Sequence, residues 1–154
     1  MPRTRELNVL WLESLVPDAQ QAKREWPGMR VACCLAQAAV ESGWGEKVIG
    51  GWNLWGIKRL TWVPGFVLVA THEWEDNKLV ARKLEFADFA TRIEGMQCYG
   101  RLVNNSPSYK EARDSSDFEE YVAALCKKWA TDPMYRKKVW SLIKVYDMEK
   151  YDYE

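Results

Sequence analysis

One stretch of this chain breaks an otherwise helical pattern. Phe66 to Trp74 and Leu79 to Phe86 are rich in β-branched and aromatic residues, on either side of Glu75-Asp76-Asn77-Lys78. Such a pair of runs around a polar turn predicts a β-hairpin. Everywhere else the apolar residues recur at helical spacing. Val31, Leu35, Ala38 and Ala39 form one stripe in a helix expected from Met29 to about Ser42. The first ~26 residues read as helical with a break near Pro17, stopped by Pro27-Gly28. Thr91 with Glu94, and Ser116 with Glu119, have the spacing of capping boxes. Asp132-Pro133 reads as the start of a last helix carrying Tyr135, Val139, Leu142, Ile143 and Tyr146. Helices, one small β insertion, then helices again predict a mainly helical α+β fold, as one domain over residues 1–154.

Composition narrows the function. The 22 Lys and Arg balance 22 Asp and Glu, which argues against nucleic acid as the main partner, because that binding depends on clustered cations. No run approaches the ~18 apolar residues of a membrane span. The start, MPRTRELNVLWLESLVPD, lacks the unbroken apolar core of a signal peptide, so synthesis in the cytoplasm without a Sec signal is expected. Cys33, Cys34, Cys98 and Cys126 have neither CxxC nor zinc spacing and read as small buried hydrophobes, with a disulfide formed after export as the alternative. The nine Trp and seven Tyr suit a core or a sugar-binding cleft equally.

Glu41 is the first candidate for chemistry. It stands at the C-terminal end of its helix, bordering the buried stripe. Partial burial and the negative end of the helix dipole both disfavour its carboxylate. A carboxylic acid that stays protonated near neutral pH is what a glycosidase needs to protonate a leaving oxygen.

Three strings then occur in order: AQAAVESGWG from Ala36 to Gly45, NLWGIK from Asn53 to Lys58, and WATDPMY from Trp129 to Tyr135. Together they resemble the bacterial endo-β-N-acetylglucosaminidases of glycoside hydrolase family 73, which include flagellar rod proteins and autolysins. The resemblance spans about Leu15 to Tyr146. It implies a lysozyme-like helical fold with a small β-hairpin lobe. It also implies hydrolysis of the peptidoglycan glycan strand at the β-1,4 bond after N-acetylglucosamine. The family's catalytic acid falls on Glu41. Its second carboxylate falls on Glu73 in the local string THEW, with Glu75, Asp76 and Glu85 as competitors, because hairpins shift register easily. Two rings depart from the family pattern: Trp55 stands for Phe and Trp129 for Tyr. The second swap removes a phenol hydroxyl, for which Tyr135 or Tyr109 is a substitute.

Trp44, Trp55, Trp74, Trp129 and Tyr135 are the candidate substrate-binding rings, with two or three of the motif tryptophans expected in the cleft and the rest in the core, since sugars pack their C–H faces on aromatic surfaces. Trp52 lies beside the motifs too. Asn53 either bonds a sugar N-acetyl group or caps its loop. One His, His72, with scattered acids does not make a metal site, and neither metal nor cofactor is expected. The expected partner is the peptidoglycan strand, acting in the periplasm or wall, with a cognate immunity protein if the chain is an injected antibacterial effector rather than a phage endolysin. The alternatives are a lytic transglycosylase or muramidase, or a non-catalytic wall-binding module.

Overall fold

A computed structural model describes residues 2–153. Helices α1 (Arg5–Glu25) and α2 (Val31–Ser42) come first. The hairpin β1 (Gly65–Glu75) and β2 (Lys78–Asp88) follows, then α3 (Arg92–Asn105), α4 (Lys110–Asp114), α5 (Phe118–Trp129) and α6 (Tyr135–Val145). Short 3-10 turns at Pro107–Tyr109 and Met148–Asp152 complete the described chain. The expected α+β order is present. No helix among the described residues is long and apolar enough to cross a membrane.

Helix α2 is the axis of the core. Every residue from Val31 to Ala39 is buried, and α1, α6 and the last 3-10 turn pack against it. Its Ala and Cys side chains are small enough to let neighbours approach from all sides, and a helix apolar all round belongs inside. Its first turn has no local side-chain cap. The cap comes from the far end of the chain: the buried Asp152 carboxylate accepts from the Val31 and Ala32 N–H groups at 2.6 and 3.1 Å. Lys23 donates to the same carboxylate at 3.0 Å. The helix stops at Gly43, whose φ of 56° lies in the left-handed region that a glycine adopts without strain. All four cysteines are free and buried.

Three local expectations shift. Helix α1 runs through Pro17 without a break; Pro17 is exposed, so the carbonyl it frees one turn earlier is within reach of water. Asp117, not Ser116, caps α5, accepting from the Glu120 N–H. Helix α6 begins at Tyr135; Asp132 forms the turn before it, accepting from the Met134 N–H at 2.9 Å.

The hairpin pairs Gly65 with Asp88 through to Glu75 with Lys78, and closes on Asp76-Asn77, both at positive φ. That is the backbone a two-residue turn needs to match strand twist. Val67, Val69, Thr71 and Glu73 face inward, while Phe66, Leu68, Ala70 and His72 face solvent. At its base, Ala87 N–H donates to the Ile57 carbonyl and Arg59 N–H to the Glu85 carbonyl. At its tip, the Thr131 hydroxyl donates to the Trp74 carbonyl at 2.8 Å. The hairpin and the α5–α6 turn thus face each other across a gap beside the end of α2.

Candidate active site

That gap is a cleft of about 420 Å³. Glu41 opens into it from the last turn of α2. Glu73 and Trp74 line it from β1, Lys58 from the preceding loop, and Trp129, Asp132, Tyr135 and Lys138 from the α5–α6 side. Volume does not pick this site. A larger hollow of about 1000 Å³ shares Ala130, Thr131 and Asp132 with it but lacks Glu41 and Glu73.

The ESGWG run explains how Glu41 reaches the cleft. Gly43 ends the helix two residues later, and the Ser42 hydroxyl donates back to the Ala38 carbonyl while accepting from the Gly45 N–H. The chain therefore turns away, leaving the Glu41 side chain at the helix end. Gly56 faces it from the NLWGIK loop: at φ 65°, a Cβ there would stand 3.3 Å from Glu41 Oε2. A larger residue would be strained and would crowd the carboxyl.

Glu41 keeps an exposed surface at the cleft, but cleft walls crowd its carboxyl from several sides. This partial burial is the main reason its pKa is raised to about 7. The Tyr135 hydroxyl, beside it in the cleft, favours the carboxylate and pulls the other way. The charges of Glu73 and Asp132 push it further up, and Lys138 opposes them. Asp132, read from sequence as a helix cap, is thus a third carboxylate in the cleft. The Met134 N–H, then Lys138, hold it below the ordinary carboxylate range. Its signal was already present inside WATDPMY.

Among the acids of the hairpin that competed for the second role, Glu73 alone lines the cleft with Glu41. Lys58 Nζ lies 3.6 Å from Glu73 Oε1. Glu75 is turned to Arg82 on the exposed tip, and Glu85 to Arg59. His72 points to the opposite, solvent face.

The aromatic expectations divide. Trp74 and Trp129 line the cleft and keep exposed ring surface. Trp129 rests on Tyr99 and Tyr109, with ring centroids 5.4 and 5.8 Å away. Trp44 is a correction: it packs edge-on between Trp11 and Tyr146, outside the cleft lining. Trp55 is another. It lies in the cleft wall without accessible surface, its indole N–H donating to the Cys34 carbonyl at 2.9 Å, so it offers a sugar no open face. Asn53 is the third. Its amide donates to the Ile57 and Ala87 carbonyls at 2.8 and 2.9 Å, and its Oδ1 accepts from the Trp55 and Ile57 N–H groups. With that capacity used and the residue buried, Asn53 pins the loop to β2. Tyr135, by contrast, turns its hydroxyl to Glu41. Tyr109 is buried behind Trp129, its phenol pushed up to about 12 by burial.

The family model of mannosyl-glycoprotein endo-β-N-acetylglucosaminidase matches residues 16–148. The chain is 31% identical over 137 residues to a protein named peptidoglycan hydrolase FlgJ from Vibrio parahaemolyticus, covering 84% of this chain and 44% of that one. It is 29% identical over 126 residues to the exo-glucosaminidase LytG of Bacillus subtilis, covering 77% of this chain and 44% of LytG. The chain thus spans less than half the length of these relatives. Among solved structures, a mutant peptidoglycan hydrolase from Sphingomonas sp. A1 superposes with a TM-score of 0.79 at 28% identity, over 93% of this chain and 97% of that one. The matched span contains the whole two-walled cleft, with its raised acid and its facing carboxylate, and on that footing the chain belongs to the glucosaminidase family of glycoside hydrolases.

Proposed function

We propose that this chain hydrolyses the peptidoglycan glycan strand at the β-1,4 bond after N-acetylglucosamine, acting as one catalytic unit with Glu41 as general acid. The observation that carries this reading is a carboxyl at a helix end that shares a cleft with a second carboxylate on the opposite wall, with crowding that raises the first one's pKa to about 7. At neutral pH a sizeable fraction of Glu41 holds a proton to give to the glycosidic oxygen, whereas an ordinary carboxyl is almost wholly ionised. Glu73, across the cleft, activates a water or stabilises the positive charge that develops as the substrate's N-acetyl group attacks the anomeric carbon. Trp74 and Trp129 offer ring faces to successive sugars.

Mass spectrometry of digested peptidoglycan tests the bond and the reaction. Reducing N-acetylglucosamine ends support this reading; reducing or anhydro-muramyl ends overturn it. Release of multi-sugar fragments supports internal cutting, and release of single terminal sugars overturns it. We assign the site of action to the wall of the producing cell or of a target bacterium. A neighbouring holin gene marks an endolysin, and a neighbouring gene for a small exported inhibitor marks an injected effector with a cognate immunity partner.

A further inference from the structure

The reach of Tyr135 toward Glu41 depends on two groups behind it. Gln37 lies one helical turn before Glu41 on α2, on the same face, and is completely buried. Its Nε2 donates to the Tyr135 hydroxyl oxygen at 3.1 Å, and its Oε1 accepts from the Tyr99 hydroxyl at 2.5 Å. Tyr99 is buried too, with its ring between those of Trp55 and Trp129. Hydrogen bonds join Tyr99, Gln37 and Tyr135 in a line from the core, and Tyr135 lines the cleft together with Glu41.

We propose that Gln37 and Tyr99 are positioning residues that direct the Tyr135 proton onto Glu41; this rests on Glu41 being the acid. The chemistry of the groups sets the direction. Burial keeps both phenols neutral, so each has one proton to donate. An amide oxygen only accepts, so the Tyr99 hydroxyl donates a hydrogen bond to Gln37 Oε1 and keeps its proton. The amide nitrogen must then face Tyr135 and donate to its oxygen. That leaves the Tyr135 proton aimed at the Glu41 carboxylate. Rotating the amide by half a turn would set Oε1 opposite Tyr135 and draw its proton away from the acid. It would also strip the buried Tyr99 hydroxyl of this acceptor, a costly arrangement. Tyr99 therefore locks the amide, the amide locks the phenol, and the phenol holds the acid in place and favours its ionised form.

The test has two readouts. The first follows the titration of Glu41 in protein carrying carbon-13-labelled glutamate carboxyls, with the signal assigned by its loss in Glu41→Gln; it needs no substrate. Tyr135→Phe removes the donor and raises the Glu41 midpoint by about one pH unit. Tyr99→Phe keeps the stacked ring, removes only the hydroxyl, and raises the midpoint in the same direction by less. Gln37→Met keeps the volume and acts like Tyr135→Phe. Pairing Gln37→Met with Tyr135→Phe adds little to either one. The second readout is the alkaline limb of the wall-clearing rate, which moves up with the midpoint while kcat falls. A midpoint unchanged in both Tyr99→Phe and Gln37→Met overturns the proposal, and so does full additivity in the double variant. Tyr99→Phe is mild enough to keep the experiment decisive if Gln37→Met does not fold. Failure of the wild type to cut the wall at any pH sinks the hydrolase reading; loss of the shifts alone sinks only the relay.

Discussion

The helix that carries Glu41 is buried from Val31 to Ala39, whereas the hairpin that carries Glu73 leaves most of one face in water, with Leu68 62% and Leu79 58% exposed. The first wall is tied at both ends, by Asp152 at its start and Gly43 at its stop, and braced by Gln37 and Tyr135. The second is fastened at its base by backbone hydrogen bonds, the Asn53 amide and the Arg59–Glu85 ion pair, and at its tip by one hydroxyl. The difference matches the two jobs. A pKa held well above the ordinary range needs a fixed, crowded environment, because every wall atom that moves away readmits water. A carboxylate that assists from across the cleft needs reach more than a fixed environment, and an element with few anchors can close on a polymer and open again.

The largest test of this contrast is Glu41→Gln, which removes the proton donor from the rigid wall. It should cost roughly 10²- to 10⁴-fold in wall-clearing rate with circular dichroism unchanged. A folded variant of near wild-type activity would break the assignment. The same group sets the pH response. Activity should fall as pH rises through about 7, when Glu41 loses its proton. The unfolded chain releases this proton near 4.5 and the folded chain only near 7, so stability should decline as pH rises across that window. Glu41→Gln should flatten that decline in urea titrations.

Next in size is Asp152→Ala, which uncaps the buried helix and takes the carboxylate from Lys23, leaving it only the Asp152 carbonyl. Urea unfolding should show a loss of roughly 2–3 kcal/mol. A loss below 0.5 kcal/mol, on the order of an exposed substitution, would mean the cap matters little. On the hairpin wall, Glu73→Gln should cost about tenfold or more in rate. Its stability should stay within about 0.5 kcal/mol, because the ion pair with Lys58 is largely exposed. An unchanged rate would move the second role to another acid, with Asp132 the nearest candidate in the cleft. The smallest effect is expected at the hairpin tip. Thr131→Val deletes the bond to Trp74 and should raise KM about threefold with little change in kcat. The opposite split would show that the tip sets the chemistry rather than the capture of substrate.

The motif strings already marked the places that meet in space: the end of α2, the loop after it and the α5–α6 turn. Strand alternation put Glu73 and His72 on opposite faces, and only Glu73 turned inward. The sequence was less informative about aromatic residues. Trp44, Trp55, Trp74 and Trp129 sit in similar contexts along the chain, yet Trp74 and Trp129 open onto the cleft, Trp55 is covered inside its wall and Trp44 packs outside it. Whether a ring is covered depends on what other segments bring to it, and local pattern carries no record of that.

Local patterning was enough to specify most of each helix, the hairpin around Glu75-Asp76-Asn77-Lys78, and the acid at a helix end, because spacing and turn conformations are short-range properties of the chain. Only the tertiary structure decided that Asp152 caps a helix about 120 residues earlier in the chain, that Asn53 spends its amide on its own loop, and that Tyr99 and Gln37 stand behind Tyr135. Those pairings join residues far apart in sequence. Burial, which makes each hydrogen bond consequential and raises the Glu41 pKa, is a sum over all the atoms that folding brings around a group.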